Sequence, residues 1–78
     1  MDMTIATPEG IVFEEKVESA KFPGVSGSFM VLPRHAALIA ALTAGKITYT
    51  QGGTSTELTI QGGFVEVKKD VISVCIEM

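Results

Sequence analysis

One cysteine, one histidine, one tyrosine and no tryptophan occur among the 78 residues. A single thiol cannot close an internal disulfide, so packing alone must hold the fold, and a reducing compartment fits. With His35 and Cys75 each alone, no HxxxH or CxxC spacing exists, and a histidine- or cysteine-rich metal site is excluded. Lys and Arg number 6 against 9 Asp and Glu, a formal net charge of −3. No basic stripe is present to neutralise phosphates, so no nucleic-acid partner is expected. No GxxxxGK[ST] loop is present for a nucleotide. No run approaches the ~20 apolar residues of a membrane-spanning helix. Met1-Asp2-Met3-Thr4 has neither the basic nor the apolar region of a signal peptide. The expectation is a soluble, cytosolic chain without cofactor or metal that does not insert into a bilayer.

Glycine, by contrast, is plentiful. The 8 glycines and 3 prolines cut the chain into short runs of strand-forming residues, the spacing of an all-β sandwich or barrel. Lys46–Thr50 and Thr54–Gln61 alternate with the period of half-buried strands: Ile47 and Tyr49, then Leu58 and Ile60, take one face. Gly52-Gly53 between them reads as a hairpin turn. Gly62-Gly63 reads as the break before Phe64–Val67, and Lys68-Lys69-Asp70 as the turn into Val71–Ile76. Met3–Thr7 and Ile11–Phe13 flank the turn Pro8-Glu9-Gly10, and Val17–Phe22 is a further strand closed by Pro23-Gly24. Phe29–Leu32 and Val71–Ile76 are apolar on both faces and read as central strands. Residues 1–78 form a single domain, with no repeat or linker.

The uncharged run Ala36–Ala44 resists assignment. Alanine and leucine favour helix by intrinsic propensity, and length and pattern leave helix and strand equally open. Its apolar content is also in excess. For a chain this short, 46% apolar residues exceeds what so small an interior holds. Either strands are buried on both faces, or apolar surface stays outside for a partner.

Little in the chain points to catalysis. Cys75 sits among Val and Ile, where cysteine packs as a small buried hydrophobe. Glu14-Glu15 and Glu57 read as solvated strand edges, and Lys68-Lys69-Asp70 as a charged hairpin tip. His35 reads as a turn residue bonded to nearby backbone, or as a contact on a partner-facing loop. A nucleophile–base pair with Ser26 or Ser28 would lack a third, orienting group.

Two motifs carry a family resemblance. Gly27–Ile47 follows the pattern EGxLGIxPGHAPLLTxLxPGxI without a gap. Gln61–Glu77 follows SGGxxEVxxxxVxVLAD, and Thr7-Pro8-Glu9, Val12-Phe13 and Val17-Glu18 fit the start. The chain thus resembles, over its whole length, the N-terminal β-sandwich domain of the epsilon subunit of rotary ATP synthases. The resemblance implies two packed antiparallel sheets with little or no helix, and makes Ala36–Ala44 a loop and short strand. It implies a non-catalytic rotor subunit in the central stalk, coupling the gamma subunit to the membrane c-ring for ion-driven ATP synthesis. It implies a peripheral place on the cytoplasmic face of the membrane. Thr7, His35, Ile39 and Ala40 match gamma-facing positions, and Ser26, Gly27 and Ser28 match the loop that meets the c-ring.

Several residues depart from the pattern. Arg34 stands where relatives have glycine, and Ala37 and Ala44 stand where they have proline. Ser26 and Ser28 replace frequent carboxylates. If the Arg34 position demands a left-handed backbone, arginine costs about 1–2 kcal/mol and the turn is expected to differ. Most bacterial relatives continue into a C-terminal helical hairpin, whereas this sequence ends at Met78, as a natural short form or a truncated one. Neither an inhibitory arm nor an ATP-sensing motif is therefore expected of it. Two rival readings are a biotinyl- or lipoyl-like carrier domain, with Lys68-Lys69 on the hairpin tip, and a generic β-sandwich adaptor. Against the carrier, Val67 and Asp70 supply neither a Met-Lys-Met nor an Asp-Lys-Ala setting.

Overall fold

A computed structural model describes residues Met1–Met78. It contains nine strands and no helix: β1 (Asp2–Thr7), β2 (Gly10–Lys16), β3 (Ser19–Phe22), β4 (Phe29–Val31), β5 (Leu38–Leu42), β6 (Gly45–Gln51), β7 (Thr54–Ile60), β8 (Gly62–Lys68) and β9 (Val71–Glu77). They form a five-stranded sheet, β2-β1-β9-β8-β5, packed on a four-stranded sheet, β4-β3-β6-β7. The β-sandwich is as expected, with one exception to antiparallel pairing: β1 runs parallel to β9.

Alternation builds the core. In β9, Ile72, Val74 and Ile76 point inward, while Val71, Ser73, Cys75 and Glu77 point out. β8 contributes Val65 and Val67, and β1 contributes Met3 and Ile5. The facing sheet supplies Ala20, Phe22, Val31, Ile47, Tyr49 and Ile60. All 15 buried residues are hydrophobic, and no polar side chain is buried. Each fully buried Ile or Phe contributes about 1.5–3 kcal/mol by leaving water. Phe13 of β2 meets Tyr49 of β6 with ring centroids 4.5 Å apart, tying the two sheets together.

The turns follow their residues. Gly52 and Gly53 have φ of 53° and 80° in the β6–β7 hairpin, which matches a type I′ turn. Lys69 and Asp70 adopt φ of 52° and 60° in the β8–β9 hairpin. Asp tolerates this left-handed region through its short polar side chain, while Lys carries the full steric cost.

Four readings are corrected. Val17–Phe22 is not one strand. Val17 and Glu18 form the crossover between sheets, tied by Val17 N–H to the Met1 carbonyl and Glu18 N–H to the Thr50 carbonyl, both at 2.8 Å. Gly62-Gly63 is no break but part of β8, where Gly63 pairs with Ile76. β4 is an edge strand, and Met30 faces solvent opposite Lys21. β9 is central in its sheet but buried on one face only, its other face turned away from the facing sheet. The run Ala36–Ala44 resolves as loop and strand: pairing with β8 overrides helix propensity.

Candidate functional site

Register places an apolar row across the open face of the five-stranded sheet. Ala41 pairs with Phe64, Phe64 with Cys75, Cys75 with Ala6, and Ala6 with Ile11. A bulge between Ile5 and Ala6 leaves Val12 as the extra residue of β2, adding apolar surface at the end of the row. Phe64 is 55% exposed, Ile11 60% and Ile39, beside the row on β5, 76%. A depression of about 470 Å³ beneath Phe64 is lined by Ala6, Thr7, Pro8 and Cys75 among others. The neighbouring row is more polar: Ile39, Glu66, Ser73, Thr4 and Glu14.

The other outer face is different in kind. On the four-stranded sheet Met30, Lys21, Thr48 and Glu57 share one row, and Ser19, Thr50 and Ser55 another. Lys46 and Glu57 form an ion pair at 3.3 Å, both more than half exposed, so it contributes little to stability. One outer face is built for water. The other is apolar over a row five strands wide.

Thr7 lies at the end of β1, half-buried. Its Oγ1 donates to the Gly10 carbonyl at 3.3 Å and accepts from Glu9 N–H at 3.2 Å, closing the β1–β2 turn beside the depression. His35 precedes β5 at the opposite end of the sheet, half-buried. Its Nδ1 is 2.7 Å from the Ala36 carbonyl, an acceptor only, so Nδ1 is the donor of this bond. Ile39 points outward. Ala40 does not: it packs against the core, half-buried, on the other side of β5. A charge at Ala40 would therefore fall against the core.

Ser26, Gly27 and Ser28 are all exposed on the loop between β3 and β4. Gly27 N–H donates to the Gly24 carbonyl at 3.0 Å, and Val25 N–H to the Ala41 carbonyl at 3.0 Å, so the loop is pinned to the edge of β5. The structure thus brings this loop beside Ile39, in a groove of about 340 Å³. It does not bring Thr7 and His35 together. His35 and the two serines lie at opposite ends of β4, so no nucleophile–base pair forms. No group of three or more His, Cys, Asp or Glu is placed to hold a metal ion.

Sequence reasoning missed Phe64, Cys75, Ala6, Ile11 and Val12. Cys75 is exposed, not packed in the core. Val71–Ile76 is apolar on both faces, a pattern that reads as burial; in the structure Val71 and Cys75 of this run stand exposed.

The family model described as ATP synthase, Delta/Epsilon chain, beta-sandwich domain matches residues 1–78. An ATP synthase epsilon chain of Desulforamulus reducens is 40% identical over 72 residues, 92% of this chain and 54% of that protein. One from Halalkalibacterium halodurans is 35% identical over 77 residues, 99% of this chain and 58% of that protein. The chain spans a little over half the length of these curated relatives. Among solved structures, a chain of the Euglena gracilis mitochondrial ATP synthase OSCP/F1/c-ring assembly superposes with a TM-score of 0.91 at 20% identity, covering 97% of this chain and 49% of that one. A chain of the Tetrahymena thermophila mitochondrial ATP synthase central stalk/c-ring gives 0.84 at 15% identity, covering 100% and 63%. These two likenesses establish the shared fold. With the family model spanning every residue and these curated relatives matching 92% and 99% of the chain, the chain belongs to the ATP synthase delta/epsilon chain β-sandwich domain family.

Proposed function

We propose that this chain acts as a non-catalytic part of the central stalk of a rotary ATP synthase. It joins the gamma subunit to the c-ring at the cytoplasmic face of the membrane, in ion-driven ATP synthesis. The match of residues 1–78 to the delta/epsilon β-sandwich family carries the reading. The apolar outer face supports it, since a rotor joint needs a surface that another protein covers.

The mechanism is mechanical. Torque crosses a joint only if its body does not shear and its interfaces hold. Two laddered sheets around a wholly apolar core supply the body. Gamma covers the Phe64–Cys75 row together with Ile39, and reaches Thr7 at one end and His35 at the other. Ala40 supports Ile39 from behind. The exposed loop Ser26-Gly27-Ser28 meets the polar loops of the c-ring, with hydroxyls where relatives often use carboxylates.

Co-expression of the chain with the gamma subunit of the same genome, followed by size-exclusion chromatography, tests the reading. A one-to-one complex is expected. Two separate peaks with the chain folded would overturn it.

A further inference from the structure

Leu32-Pro33-Arg34-His35 is a β-turn closed by His35 N–H to the Leu32 carbonyl at 3.1 Å. Pro33 fixes a negative φ at its second position, and Arg34 has φ of 67° at its third. Those angles define a type II turn, which normally requires glycine or asparagine where Arg34 stands. A Pro-Arg pair is free to form the type I turn instead, by flipping the peptide between the two residues and returning Arg34 to negative φ. The flip would turn the Arg34 N–H around. In the structure that N–H donates to Asp70 Oδ1 at 2.8 Å, from a residue 36 positions away.

Asp70 is itself well anchored. It sits in the two-residue β8–β9 hairpin, between the paired residues Lys68 and Val71. Its carbonyl accepts Asp2 N–H at 3.0 Å. A carboxylate on an anchored backbone therefore meets a turn that its own sequence leaves undecided.

We propose that Asp70 is a positioning residue: its carboxylate selects the type II form of the Leu32–His35 turn, and so presets His35 and the entry to β5 for the partner. The lock is a property of this chain alone, while its effect on binding rests on the rotor reading above. A left-handed non-glycine residue is disfavoured by on the order of ten-fold. Without the carboxylate the binding-competent turn becomes the minor form, and apparent affinity falls by the same factor.

The test uses Asp70→Gly, which removes the carboxylate while glycine takes the hairpin φ freely. Asp70→Asn retains an accepting Oδ1, and Arg34→Gly makes the type II turn intrinsically easy. Two readouts are taken: amide exchange of Arg34 by NMR in the free chain, and the Kd for gamma. Asp70→Gly is expected to speed Arg34 exchange and weaken gamma binding, each by about ten-fold, with cooperative melting retained. Asp70→Asn restores both. In the Arg34→Gly background, Asp70→Gly no longer affects binding. Unchanged Arg34 exchange in Asp70→Gly overturns the lock. A binding loss that persists in the Arg34→Gly background also overturns it, because Asp70 would then touch the partner directly. If the unsubstituted chain fails to bind gamma, the rotor reading falls instead, and Arg34 exchange alone decides whether the lock exists.

Discussion

Phe64 stands directly across the β8–β9 ladder from Cys75, and both side chains project away from the core on the open face of the five-stranded sheet. A phenyl ring beside a thiol in water is a poor surface for an isolated domain and a good one for an interface, where aromatic side chains are enriched.

Thiol labelling reads this face directly. Cys75 is exposed, so it should react with iodoacetamide in the native free chain at a rate close to that of the unfolded chain. Bound gamma should suppress the reaction at least ten-fold. A native chain that resists labelling would show that Cys75 is covered without any partner.

Ile39 and Ala40 are neighbours with opposite consequences. Ile39→Glu places a charge in solvent and should change stability by no more than about 0.5 kcal/mol. It should still weaken gamma binding at least ten-fold. Ala40→Glu drives a carboxylate toward the core and should cost about 1–3 kcal/mol. Urea denaturation of both variants separates the two effects. Equal stability in both would contradict the orientation of β5.

Gly63 is the backbone's tightest point. It has φ of 146°, and a Cβ there would collide with the Cys75 carbonyl oxygen. Gly63→Ala should therefore destabilise the fold by about 3 kcal/mol, from strain and overpacking together. Gly52→Ala, with nothing near its Cβ, should cost about 1–2 kcal/mol for its left-handed backbone alone. Denaturation midpoints that rank the two the other way would contradict the close approach of β8 and β9.

The c-ring contact has its own check. Ser28→Cys, on an exposed loop, should form a crosslink to a cysteine in the polar loop of a c subunit within the assembled enzyme. Crosslinks to other subunits alone would move the contact elsewhere.

Much of the fold is legible because the β6–β7 hairpin announces itself. Ile47 and Tyr49 alternate with polar residues, and Gly52-Gly53 marks the turn. Ala36–Ala44 gives no such phase. With no charged residue in it, nothing in the run says that Ile39 faces out and Ala40 in; pairing with Glu66 and Val65 decides that. The open face was illegible for a related reason. An apolar residue reads the same whether the fold or a partner covers it, so Cys75 reads as core. Arg34 was expected to alter its turn. The structure keeps the left-handed form because Asp70, remote in sequence, supplies an acceptor for its N–H.

The central claim is that one specific face of the sandwich meets gamma. Its most direct test compares gamma affinity for the unsubstituted chain, Phe64→Glu on the open face, and Lys21→Glu on the opposite sheet. Isothermal titration should give matching affinities for the unsubstituted chain and Lys21→Glu, and at least a hundred-fold loss for Phe64→Glu with its melting temperature unchanged. Unimpaired binding by folded Phe64→Glu would contradict the claim, as would a loss caused by Lys21→Glu instead.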